Sequence, residues 1–345
     1  MPGKEKVTIP QKEKKEKKEQ TETDELSTII LSRNIEKLKE TLEKGTEHTN
    51  YHLNLAAEIG QYDAFIMLAQ SFQPSEFCET ETFNCAVRGA NRKIIQHCID
   101  NNFPCNDETT GWAIEQNDYD TLKFLLESGM PYGEKTFAFV GYLDETSRRE
   151  DFITILESYQ CKKGPGVCRG AAYRGDFPFL KRLHEAGFPW DKEHRFNNIS
   201  VNAASGGSVE CLKYVLENGC KLNRDCLWHA CDSGNSECFR YICEELRPSF
   251  LKEEKQYPTY TESSVERNDL KMLKLVIEEG FTLTKSALFG AKKMRETKFK
   301  GKKKAQKINA EIIEFLEEVE KDGWIAQGAV PPMAYDFSRI QVFKF

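Results

Sequence analysis

Residues 201–220 read VNAASGGSVECLKYVLENGC. A small pair, Ala203 and Ala204, is followed by a turn ending in glycine, then by Val209, Leu212 and Val215, and then by Gly219. Apolar residues three apart mark one face of a helix, and a glycine just past the last of them supplies a left-handed cap. The stretch therefore predicts a helix, a short turn, a second helix and a cap.

Working outward, the same pattern recurs as GAAYRGDFPFLKRLHEAGFPW (170–190), LAAEIGQYDAFIMLAQSF (55–72), WAIEQNDYDTLKFLLESGMPY (112–132), HACDSGNSECFRYICEEL (229–246) and SSVERNDLKMLKLVIEEGF (263–281). CAVRGANRKIIQHCIDNNFP (85–104) fits more loosely, and residues 136–161 keep only the second helix. The central apolar residues of the second helices are Leu38, Phe65, Ile95, Leu122, Ile153, Leu180, Leu212, Phe239, Leu273 and Leu316. A lone helix pair burying about three side chains gains roughly 5–9 kcal/mol, less than the entropy it gives up. Neighbouring pairs must stack, so the expected fold is an all-α solenoid of about ten helix-turn-helix units.

The small pair, the glycine and the apolar second helix ending in glycine resemble the ankyrin repeat over residues 25 to about 325. Gly187-Phe188-Pro189-Trp190 looks like the divergent ankyrin arrays of giant DNA viruses and protists. The family's Thr-Pro-Leu-His helix start is missing, the nearest segment being Tyr51-His52-Leu53-Asn54. Steps of 27 residues leave little room for a projecting β-hairpin, so short loops are expected. Tetratricopeptide and HEAT-like repeats have longer periods and fit worse.

Residues 1–24 are rich in Lys and Glu with almost nothing apolar, and are expected to be a disordered tail. Residues 285–307 carry ten Lys/Arg against one Glu. They are expected to hold a basic insertion, about 292–307, separating the two helices of a capping repeat. Its readings are a solvated loop, an import or anionic-partner patch, and a nucleic-acid site. Only Phe299 interleaves the charge, which disfavours nucleic acid. Residues 326–345 form an aromatic C-terminal tail, able to cover the last unit or meet a partner.

Forty-nine Lys/Arg against fifty-five Asp/Glu give a net charge of −6, far from the basic excess of wholesale phosphate binding. No run of eighteen apolar residues and no secretory leader pattern are present, so no membrane association and a cytoplasmic or nuclear setting are expected. Twelve cysteines with no C-x-x-C pair read as free, buried thiols. Pairs at a seven-residue step, Cys78/Cys85, Cys98/Cys105 and Cys161/Cys168, do not suit a tetrahedral metal. Gly164-Pro165-Gly166-Val167-Cys168-Arg169-Gly170 imitates a dinucleotide-binding turn but follows a helix instead of a strand, and reads as a turn between repeats. His97, His184 and His229 have no common acidic neighbour. No catalytic residue, cofactor or metal is expected.

By the ankyrin resemblance, residues between the small pair and the glycine lie on the inner, concave face. These are Glu58 with Ile59, Arg88, Glu115, Gln116, Tyr173, Arg174, Ser205, Asp232, Ser233, Glu266 and Arg267. The row mixes both signs with one aromatic, which suits a protein ligand, since Tyr and Arg are favoured anchors. The expected function is a non-enzymatic, monomeric scaffold binding a protein on this face. The alternatives are a substrate-receptor subunit of a ubiquitin ligase or similar complex, and an anionic-partner or nucleic-acid binder acting through the basic insertion.

Overall fold

In the computed structural model, residues 25–71, 80–143, 148–190, 198–246 and 259–321 are described. The expected tails at 1–24 and 326–345, and Cys78, lie outside the described residues. By Cα packing the chain divides into two compact units after Gly164. Among the described residues each unit holds five helix-turn-helix hairpins and no strand. The first unit pairs 25–31 with Ile35–Glu43, Asn50–Glu58 with Tyr62–Ser71, Thr80–Arg88 with Arg92–Asp100, Asp107–Glu115 with Tyr119–Glu127, and Glu134–Tyr142 with Arg149–Ser158. The second pairs Gly166–Tyr173 with Phe177–Glu185, Ile199–Gly206 with Val209–Glu217, Arg224–Asp232 with Ser236–Glu245, Thr259–Glu266 with Leu270–Glu278, and Lys285–Glu296 with Lys303–Lys321. This is the expected helical repeat fold.

A hairpin forms where it does because, at six of the turns, the residue before the second helix caps it. Asn34, Asn91, Asp118, Asp176, Ser208 and Asp269 each accept a hydrogen bond from the backbone N–H three residues on, satisfying a donor the helix leaves open. The chain enters that cap through a left-handed residue, such as Gly207 at φ 79°. Asparagine manages the same conformation at Asn117, φ 54°. The residue that closes the turn also joins repeats: Gln61 Nε2 donates to the Ile30 carbonyl at 2.7 Å, Asn91 Nδ2 to Gly60 at 2.8 Å, and Asn235 Nδ2 to Ser205 at 2.5 Å.

Within each unit first helices pack on first helices and second helices on second helices, giving two layers. Ala56, Ala57, Ala171, Ala172, Ala203 and Ala204 are fully buried between first helices. Beside them, Gly89 and Gly206 let backbones approach: a Cβ at Gly89 would lie 2.1 Å from the Ala57 carbonyl oxygen, and one at Gly206 would lie 2.1 Å from that of Tyr173. Leu38, Phe65, Ile95, Leu122, Leu180, Leu212, Phe239 and Leu273 are each the fourth residue of a second helix and at most 1% exposed.

Three expectations need correction. In the fifth hairpin Phe152, not Ile153, is the buried fourth residue, because the helix begins at Arg149. That hairpin also has a first helix, Glu134–Tyr142, built on Phe137 and Val140 in place of an alanine pair. Finally, the basic stretch is a solvated turn only over residues 297–302, all exposed but Phe299. It forms the end of Lys285–Glu296, a turn, and the start of Lys303–Lys321, and its Phe299 is 6% exposed. These two helices close the second unit with a core that includes Ala287, Ala291, Ile312 and Leu316.

A bond that fixes a helix start begins two residues before the segment expected. Thr49 N–H donates to Nδ1 of the fully buried His52 at 3.1 Å, fixing the start of Asn50–Glu58. Asn106 with Thr109 and Gly133 with Thr136 make the same backbone-to-side-chain bond at 3.1 and 3.0 Å.

Candidate interaction surface

The expected row lies at the C-terminal ends of the first helices. In the first unit Glu58, Glu115 and Gln116 are exposed and Arg88 is half-buried. Arg88 Nε meets Glu58 at 3.2 Å, one repeat back, and its other nitrogen meets Glu81 at 2.6 Å. The guanidinium also lies 4.7 Å from the centre of the Trp112 ring, one repeat forward. Burial pushes the Glu81 carboxyl up, but hydrogen bonds from Arg88 and Asn84 more than offset it and hold it below its ordinary value. Arg88 is thus a cross-repeat tie as much as a surface residue.

In the second unit Tyr173 is 48% exposed, and Arg174, Glu266 and Arg267 are also exposed. Ser205, Asp232 and Ser233 are half-buried and bonded between repeats: Ser205 Oγ lies 3.1 Å from Ser233 Oγ, and Ser263 Oγ donates to Asp232 at 3.1 Å. The row therefore divides by geometry. Glu58, Arg88, Ser205, Asp232 and Ser233 link neighbouring repeats, and Glu115, Gln116, Tyr173, Arg174, Glu266 and Arg267 are exposed.

Two features escaped the sequence reading. On the second-helix layer, His184 stacks on Trp190 with centroids 3.7 Å apart, and its Nδ1 lies 2.9 Å from the Tyr214 hydroxyl. Phe188 is 4% exposed, so Gly187-Phe188-Pro189-Trp190 closes over its own repeat. The other is a groove of about 450 Å³ between Thr259–Glu266 and Lys285–Glu296. Its signal was present as a helix-interior glycine, Gly290, inside a stretch read by charge alone.

Ten of the eleven described cysteines are buried, and Cys105 is half-buried. Burial pushes Cys168, Cys226, Cys231 and Cys238 up to about 12, so they remain protonated at neutral pH and pack as small apolar groups. Cys161 donates to the Gly133 carbonyl at 3.2 Å. Among the described residues no helix is long and apolar enough to cross a membrane.

Stacked hairpins with buried small pairs and variable outer ends define a helical-repeat protein. Residues 169–253 match the family model for ankyrin repeats in three copies. An ankyrin repeat protein of Acanthamoeba polyphaga mimivirus is 28% identical over 96 residues, covering 27% of this chain and 15% of that protein. The chain thus spans under a sixth of the length of the curated relative it matches. Over residues 169–253 the repeats match the ankyrin type, and ankyrin repeats are generally protein-interaction modules.

Proposed function

We propose that the chain is a non-catalytic scaffold whose protein partner lies on the outer ends of the first helices. The observation that carries this is the division of the row. Within each unit some of its residues tie neighbouring repeats together, and at the same register others present an aromatic and charges of both signs to solvent. Tyr supplies large contact area for little conformational entropy and Arg supplies several donors, which suits a protein surface better than a uniform polyanion.

The test begins with purification of the chain and its bound protein from the native cell. Tyr173→Ala combined with Arg174→Ala is expected to weaken that complex by more than about 1 kcal/mol, read by calorimetry. Its melting temperature should stay near wild type, because both side chains are exposed. Loss of stability without loss of affinity would make the pair structural and place the binding face elsewhere.

A further inference from the structure

Three glycines in or just after the first helices are dictated by their neighbours. A Cβ at Gly89 or Gly206 would strike a backbone carbonyl at 2.1 Å, and one at Gly111 would strike the Phe139 ring at 2.3 Å. Gly290 differs. It sits inside Lys285–Glu296 with an ordinary helical conformation, where glycine is the weaker helix former, and a Cβ there would meet nothing within 4 Å. Packing among the described residues gives no reason for this residue.

What lies over Gly290 is the 450 Å³ groove. Val265 and Ala287, each 1% exposed, and Met294 line it with apolar surface, and Phe289, 70% exposed, stands beside it on the helix. Lys293 is on its rim. From there the chain runs into Lys300, Lys302, Lys303 and Lys304, and among the described residues none of these five lysines has an ion-pair partner. On the same helix Lys285 and Lys292 are neutralised by Glu320 and Glu317. Glu262 and Glu266 form the opposite wall, where Glu262 accepts from the Ser286 hydroxyl.

We propose that this groove takes one apolar side chain of an acidic protein segment, whose carboxylates continue over the lysines between residues 293 and 304. The inference rests on the protein-binding reading above and names the partner's chemistry at the last repeat. Charge complementarity sets the direction: the acidic residues follow the anchor on the lysine side, away from Glu262 and Glu266. A nucleic acid fits less well. Phe299, the aromatic within the lysine run, is buried and offers no stacking platform.

The test is fluorescence anisotropy on the full chain with three labelled probes. These are a twelve-residue Glu/Ser peptide with one leucine preceding its glutamates, the same peptide with that leucine replaced by serine, and a single-stranded oligonucleotide of twelve bases. The leucine peptide is expected to bind at least tenfold tighter than the serine peptide, a comparison that needs no protein variant. Gly290→Met should abolish that preference, and Lys300→Glu with Lys303→Glu should weaken both peptides and their salt dependence. Equal binding of the two peptides, no saturable binding of either, or tighter binding of the oligonucleotide would each overturn the proposal. If the peptides fail while the native complex still depends on Tyr173 and Arg174, the groove is wrong and the row stands. If the native complex ignores Tyr173 and Arg174 while the leucine peptide binds through Gly290, the row is wrong instead.

Discussion

Leu212→Ala is expected to cost about 2–5 kcal/mol, the range for removing a fully buried leucine and leaving a cavity. Leu212 is 0% exposed at the fourth position of Val209–Glu217, a helix that packs on both Phe177–Glu185 and Ser236–Glu245. Collapse around the missing side chain is resisted from two sides, so the loss should fall in the upper part of that range. Repeats stabilise one another through their shared faces, and the damage should therefore spread. Urea unfolding followed by circular dichroism gives the total. Hydrogen exchange should show faster opening in the two flanking second helices as well. A loss confined to residues 209–217, or below about 0.5 kcal/mol, would contradict the stacked arrangement.

Gly206→Ala is expected to destabilise by about 1–3 kcal/mol or more, although alanine is the better helix former. The new Cβ would sit 2.1 Å from the Tyr173 oxygen and 2.8 Å from that of Ala172, and both belong to backbone that cannot swing aside. Relief requires Ile199–Gly206 to move off Gly166–Tyr173, which opens the buried alanine pairs. Gly290→Ala is the control, since its Cβ would meet nothing within 4 Å. It should leave stability unchanged or raise it by up to about 1 kcal/mol. Thermal melts of the two variants should shift in opposite senses, and equal shifts would mean that close approach at Gly206 is not what the glycine provides.

The repeat was legible because its signals are local. Leu212 and its equivalents fall one per second helix, and the cap and turn residues lie within a few positions of them. Where one cue was replaced, the reading failed: Glu134–Tyr142 has Phe137 and Val140 in place of an alanine pair, although Gly133 with Thr136 repeats the start signal of Asn106 with Thr109. The basic stretch was misjudged because charge counting is blind to conformation. Lysine is a good helix former, and Ala287, Leu288, Ala291 and Met294 already carried helical spacing within the run.

The row falls at the C-terminal ends of the first helices, but its two roles could not be separated by inspecting one repeat. Arg88 bonds to Glu58 across 30 residues, and Ser205 to Ser233 across 28. Comparing residues one period apart exposes the opposite charges of the first pair. The serine pair gives no such hint, because a hydroxyl is equally at home in water.

The claim that the first-helix ends are the binding surface is tested most directly by hydrogen exchange on the native complex. The account predicts new protection in peptides spanning Glu115 and Gln116, Tyr173 and Arg174, and Glu266 and Arg267, with the second helices unchanged. Protection confined to second helices such as Phe177–Glu185 and Val209–Glu217 would contradict it.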